Sequence, residues 1–171
     1  GQQVSLQDLK GHLVVLTFLY TSCPDVCPLV ANKLRQAHEI LDKTTNNVSF
    51  VGITVDPERD TPERMQAYSA KWHMSDLGNQ WQFLTGARPK LEQLWAYYWV
   101  GEVFQEDEPW PKTAPNPSQQ DHTTSEQATN ESPGFRLLVH GAPLHVIDQS
   151  GNIRTVFSST FTPAELATTL Q

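Results

Sequence analysis

Three features of the chain predict an α/β fold, a mixed central sheet with helices on both faces. Apolar runs of buried-strand length alternate with stretches of helical spacing. That alternation repeats three times before a closing set of strands and a last helix, so the order reads β-α-β-α-β-α-loop-β-β-β-α. The third feature is size. With 171 residues, 38% of them hydrophobic, the chain can bury one ordinary core, and two cysteines are too few for a disulfide scaffold.

The first strand is residues 13–20 (LVVLTFLY), β-branched or aromatic at most positions. Across residues 29–41 the apolar side chains Leu34, Ala37, Ile40 and Leu41 recur at helical spacing, and 48–55 (VSFVGITV) returns to strand. This is a βαβ unit, which implies parallel strands. A second helix opens at Thr61-Pro62-Glu63. Threonine caps, proline takes the first helical position where its missing N–H costs nothing, and the acid suits the helix dipole. A strand at 81–85 and a helix over 88–99 follow, the aromatic group Trp95, Tyr97, Tyr98 and Trp99 serving core and interface packing. Strands at 135–139 and 144–148, a turn at Gln149-Ser150-Gly151-Asn152 and a strand at 153–157 come next. The capping box Thr162-Pro163-Ala164-Glu165 then opens the final helix.

Charge is unevenly spread. The chain carries 12 Lys and Arg against 19 Asp and Glu, a net −7. Residues 102–134 hold seven of the acids, a single base and five of the twelve prolines, so the rest is nearly neutral. That stretch is rich in Ser, Thr, Gln and Asn and has little to bury. It is expected to be a long acidic loop inserted into one domain spanning 1–171, because the short remainder after it cannot fold alone. The acidic balance excludes a nucleic-acid partner, since no basic field exists to neutralise phosphates. The longest apolar run, eight residues, is far short of a membrane span. With no initiator Met and no signal-peptide pattern, the sequence is expected to be a processed or truncated soluble part.

The most informative stretch is Thr21-Ser22-Cys23-Pro24-Asp25-Val26-Cys27-Pro28, directly after the first strand. Pro28 suits a first helical position, so the helix is expected to begin there, with Cys27 at its N-terminus and Cys23 in the preceding turn. Free N–H groups and the positive end of the dipole favour a thiolate there. Such a pair can close a small disulfide or clamp a soft ion, and both remain open against the bland alternative of inert buried thiols. A closed zinc site needs four ligands, whereas Cu(I) accepts two thiolates with or without an imidazole. Of the six histidines, His12, His38, His73 and His122 read as solvated surface, and His145 lies within a strand. His140 ends the run FRLLVH before Gly141, where a strand leaves the sheet. A structural and a ligating role are both open for it. Asp56, at a strand end, faces the same region.

The stretches 18–28 (FLYTSCPDVCP) and 51–63 (VGITVDPERDTPE), followed by a histidine before a strand ending Asp-x-x-Gly, resemble the Sco/SenC family over nearly the whole chain outside 102–134. The resemblance implies a thioredoxin-like fold and an extracytoplasmic, membrane-anchored protein, as in the bacterial periplasm. It also implies a role in assembling the Cu-A centre of cytochrome c oxidase. By motif, Cys23, Cys27 and His140 would be copper ligands. The partner would be cytochrome c oxidase subunit II or another apo copper protein, receiving copper by ligand exchange. The sequence departs from the family pattern at Val139, which takes the place of an aspartate, and in the length of the insertion. Pro143, three residues after the histidine, resembles thioredoxin-type reductases and implies a cis Ala142–Pro143 bond. A thiol–disulfide oxidoreductase, with Cys23 and Cys27 as its redox pair and a thiol-redox partner, is therefore the alternative to a metallochaperone.

Overall fold

The computed structural model describes residues 3–41, 47–101 and 142–171. Five strands form one sheet, β1 (Leu13–Leu19), β2 (Val48–Thr54), β3 (Trp81–Leu84), β4 (Leu144–Ile147) and β5 (Ile153–Phe157), in the order β3-β2-β1-β4-β5. The first three run parallel, β4 is antiparallel to β1, and β5 is antiparallel to β4. The helices are α1 (Val26–Ile40), α2 (Pro62–Lys71), α3 (Arg88–Tyr97) and α4 (Pro163–Thr169). This is the mixed α/β architecture that the alternation of apolar runs predicts. The strand expected at 135–139 and the acidic insertion at 102–134 lie outside the described residues, as do His122 and His140.

Side-chain alternation sorts the helices onto two faces. Val14, Leu16, Val51 and Ile53 line an apolar cavity of about 230 Å³ together with Leu91 and Tyr98, so α3 covers that face. On the other face Phe50 meets the His38 ring of α1 at 6.0 Å, and Phe83 meets Tyr68 of α2 at 5.6 Å. Gly52 sits on this second face for want of room: a Cβ there would lie 2.9 Å from the Trp81 ring. α4 packs beside α1, and Lys33 of α1 donates to the Ser159 carbonyl at 2.9 Å while lying over the Phe161 ring. Helices on both faces leave β2 wholly buried and β1 buried except at its first residue.

Local chemistry sets the helix ends. Thr61 Oγ1 accepts from the Arg64 N–H, and Thr162 with Glu165 forms the expected capping box. α1 corrects the expectation: it starts at Val26, two residues before Pro28. No N–H in a first helical turn has an intrahelical partner, so proline is as harmless at the third position as at the first. α3 ends at Tyr97 because the chain turns left-handed at Trp99, with φ of 52°. Its aromatic group divides: Trp95 and Tyr98 are buried, Tyr97 and Trp99 exposed.

Three further expectations change. No cis peptide bond occurs among the described residues, so Ala142–Pro143 is trans. Ordinary X–Pro bonds favour trans by about 0.5–1 kcal/mol, and this bond follows that preference. His12 and His38 are half-buried and hydrogen-bonded, to Ser49 at 3.0 Å and Gln80 at 2.9 Å, because each lies where a loop or helix crosses the sheet. Short 3-10 segments at Leu6–Leu9 and Met74–Gln80 lack the periodicity that would reveal them in sequence. Among the described residues no helix is long and apolar enough to cross a membrane.

Candidate functional site

Parallel strands end together, so the turns after β1 and β2 emerge side by side. The ladder continues one bond beyond the strands, the Val55 N–H donating to the Leu19 carbonyl at 3.0 Å. From there the first turn carries Thr21 to Cys27 and the second carries Asp56 to Asp60. Asp60 joins them. Its carboxylate, only 1% exposed, accepts from the Thr21 N–H at 3.1 Å, from Thr21 Oγ1 at 2.5 Å and from Thr54 Oγ1 at 2.5 Å. Asp56 closes the second turn, its carbonyl accepting the Asp60 N–H at 2.9 Å while its own N–H donates to Thr54 Oγ1 at 2.9 Å. On the outer side Arg88 grips Glu58 through two nitrogens, at 2.5 and 2.6 Å, fastening the turn to α3.

This bracing holds the two cysteines at the mouth of α1. Both thiols are free; Cys27 is fully buried and Cys23 half-buried. The Cys27 N–H donates to Cys23 Sγ at 3.3 Å. Asp25, at the N-cap position, makes no side-chain cap, so the sulfur acts as the cap for the second residue of the helix. A sulfur accepting an N–H at a helix N-terminus is stabilised as thiolate.

The two thiols therefore titrate in opposite directions. A hydrogen bond from the Cys27 thiol lowers Cys23 to about 6, outweighing the opposing effect of burial, with smaller help from the Cys27 and Asp25 N–H groups and the Tyr20 side chain. Cys27 is held well above its ordinary value, first by burial, then by donating to Cys23 and by the Cys23 charge. Near neutral pH the pair carries one negative charge, on the more exposed sulfur.

The donor chemistry fits a soft ion. Two thiols on one turn, one already ionised, are ligands of the kind Cu(I) prefers. Three hydroxyls, Thr17 Oγ1, Ser22 Oγ and Tyr68 Oη, are buried without a hydrogen-bond partner among the described residues, and Ser22 directly precedes Cys23. No group of three or more His, Cys, Asp or Glu able to hold a metal stands together among the described residues. His140, the third ligand that the motif implies, lies outside them. His145 is elsewhere: wholly buried in β4, it is hydrogen-bonded through Nε2 to the Tyr98 carbonyl at 3.0 Å and lies edge-on to Phe18.

Sequence reasoning found both cysteines and missed Asp60. The available signal was Asp56 at the strand end, but the carboxylate that reaches the cysteine turn is the next aspartate along, after a single turn of chain.

Comparison with known proteins identifies the family and the fold. The SCO1/SenC family model matches residues 1–171. The SCO2-like protein RP587 of Rickettsia prowazekii is 41% identical over 85 residues, which is 48% of this chain and 42% of that protein. The chain spans less than half the length of the relatives it matches in this way. Yeast Sco1 with copper bound shares the fold at a TM-score of 0.71 and 20% identity, over 99% of this chain and 79% of that one. Bradyrhizobium japonicum ScoI with copper bound gives 0.65 at 25% identity, over 98% and 88% respectively. Matched over its whole length by the family model and sharing the fold of the solved members, the chain belongs to the SCO1/SenC family.

Proposed function

We propose that this domain is a metallochaperone that carries one copper ion on Cys23, Cys27 and His140 and passes it to an apo copper site. The observation that carries the proposal is the cysteine pair itself: two free thiols on one braced turn, one ionised at neutral pH and half-open to a partner. Copper is cargo here. Loading releases the Cys27 proton to solvent as its sulfur ligates, so uptake grows with pH. Delivery is ligand exchange, in which incoming thiolates replace Cys23 and Cys27 one at a time. Cys23, the more exposed, leaves first. Copper-bound Sco relatives support the cargo, and the family resemblance supports the Cu-A site of cytochrome c oxidase subunit II as destination. It also supports a membrane-anchored, extracytoplasmic setting.

A second function is favoured by the split between the two thiols. A low-pKa, half-buried Cys23 and a buried, protonated Cys27 have the properties of an attacking and a resolving cysteine. As a reductase, the Cys23 thiolate would attack a partner disulfide, expel one partner thiolate and form a mixed disulfide. The deprotonated Cys27 would then release the second partner thiol and leave a Cys23–Cys27 disulfide, which a thiol donor must reduce.

Anaerobic Cu(I) titration beside an insulin-disulfide reduction assay separates the two. The chaperone predicts one Cu(I) per reduced chain, none on the disulfide form, and an altered Cu(II) spectrum in His140→Ala. Equal copper retention by both redox forms would exclude it. In either function, iodoacetamide should modify Cys23 with a midpoint near pH 6 while Cys27 stays protected; a midpoint near 9 would show that the Cys27 thiol does not hydrogen-bond the Cys23 sulfur in solution.

A further inference from the structure

The cavity beneath α3 has no part in the chemistry of the cysteines, and it lies on the sheet face opposite the one that α1 covers. Its floor is the sheet itself: Val14 and Leu16 of β1, Val51 and Ile53 of β2. Its back wall is Tyr98, whose ring stands 4.9 Å from the His145 ring and 5.9 Å from that of Phe18. His145 Nε2 also donates to the Tyr98 carbonyl at 3.0 Å, so this wall is fixed from behind.

The outer wall is where packing stops short. The start of the chain lays Val4, Leu6 and Leu9 along the cavity. A capping box holds the 3-10 segment Leu6–Leu9 there, the Ser5 N–H and hydroxyl both donating to the Asp8 carboxylate at 2.7 Å. Yet no residue of that segment is buried: Leu6 is 39% exposed, and Leu94 of α3, which also lines the cavity, is 37% exposed. An apolar segment pinned over an apolar floor would ordinarily close on it, because protein interiors pack to the density of organic crystals. Here about 230 Å³ stays open, and the partly exposed leucines mark where it meets solvent.

Size and chemistry define what fits. An apolar cavity of about 150 Å³ takes up benzene, so this one has room for a ring with a short side chain, roughly six to ten carbons. None of the described residues lining it carries a charge. Its polar side chains are Ser5, Thr85 and Tyr98, and the Ser5 hydroxyl is already committed to Asp8. A charged ligand would find no counter-ion there and would lose its hydration without return. We propose that this cavity is a binding site for a small uncharged molecule, an aromatic ring bearing a short alkyl chain, which enters between Leu6 and Leu94 and completes their burial. The site stands apart from the copper function, since the sheet separates it from α1 and the cysteines.

The test titrates the full chain, reduced and metal-free, with toluene and separately with benzoate, a ring of similar size that carries a carboxylate. The methyl NMR signals of Val14, Leu16, Val51 and Ile53 should move with toluene and saturate. Those of Val30 and Leu34, buried under α1 on the other face, should stay where they are. The urea midpoint should rise with toluene, because the ligand binds only the folded state. Benzoate should bind at least about tenfold more weakly, its charge having no partner in the cavity. Val14→Phe fills the space and should abolish the shifts; if that variant does not fold, the methyl map of wild type decides alone. No saturable shift up to the solubility of toluene, or equal shifts on both faces of the sheet, would overturn the assignment. So would benzoate binding as tightly as toluene, or a folded Val14→Phe that takes up toluene like wild type. Each of these results leaves copper binding at Cys23 and Cys27 untouched.

Discussion

The parallel and antiparallel halves of the sheet are built to different standards. In the parallel half every residue of β2 and all but the first of β1 are buried, with α1 and α2 on one face and α3 on the other. In the antiparallel half β5 alternates between half-buried and exposed residues along its length, one face open to water. The difference is also one of chemistry. β1 and β2 release their chains at the same end, where Asp60 bonds across 39 residues of sequence to Thr21 and the cysteines gather. β4 contributes a wall: His145, completely buried, holds the last turn of α3 through Tyr98. Burial on both faces gives β1 and β2 the rigidity to hold polar groups in place, and β5, with one open face, is free of that demand.

Four substitutions grade this contrast, beginning with the largest expected loss. Phe50→Ala empties a fully buried site beneath α1 and should cost about 3–5 kcal/mol in chemical denaturation. A loss below about 1 kcal/mol would mean that the parallel half is not the dominant core. Asp60→Asn keeps the shape but puts an NH₂ where a carboxylate accepts from two hydroxyls and an N–H. Weakening these charge-assisted bonds should cost about 2–3 kcal/mol and loosen the cysteine turn, seen as faster alkylation of Cys27. Wild-type stability with unchanged protection of Cys27 would show that the two turns hold each other without this carboxylate.

The third substitution probes the wall through pH. Burial lowers the pKa of His145 below its ordinary 6.5, against the opposing pull of the Tyr98 carbonyl. The unfolded chain then takes up a proton more readily than the folded one. This contribution to stability is complete above about pH 6.5 and is lost as pH falls through the folded value. Urea melts from about pH 7 to about pH 5 should show that erosion in wild type and less of it in His145→Gln; equal slopes would mean that His145 does not carry it. The smallest effect belongs to the open strand. Val156, 44% exposed on β5, should accept Val156→Thr within about 0.5 kcal/mol. A larger loss would reveal that this face of β5 is covered after all.

Much of the architecture is a local property of the chain. Runs such as 13–20 and 48–55 can only satisfy their apolar side chains in buried strands, and β1 and β2 lie within one residue of those bounds. Thr61-Pro62 and Thr162-Pro163-Ala164-Glu165 start helices because the capping groups sit three residues apart on one stretch of backbone. The Cys23–Cys27 spacing places both sulfurs on one turn whatever the rest of the fold does. These features depend on contacts a few residues apart, whose geometry the backbone periods dictate.

What tertiary structure decided depends on partners distant in sequence. Nothing near Asp60 indicates that its carboxylate will meet Thr21 and Thr54. That became visible only when parallel pairing brought the two strand ends together. The start of α1 at Val26 follows from a sulfur replacing the usual oxygen cap, a substitution that propensity scales do not contain. Pro143 could be read as cis by its position, yet the bond follows the ordinary X–Pro preference and is trans. The orphaned hydroxyl of Tyr68 belongs to the same class. In sequence it is one more apolar-periodic position on a helix, and only burial against α2's neighbours leaves its O–H without a hydrogen-bond partner among the described residues. Periodicity specifies which face of an element is dry; which polar groups end up facing each other is settled when the elements close on one another.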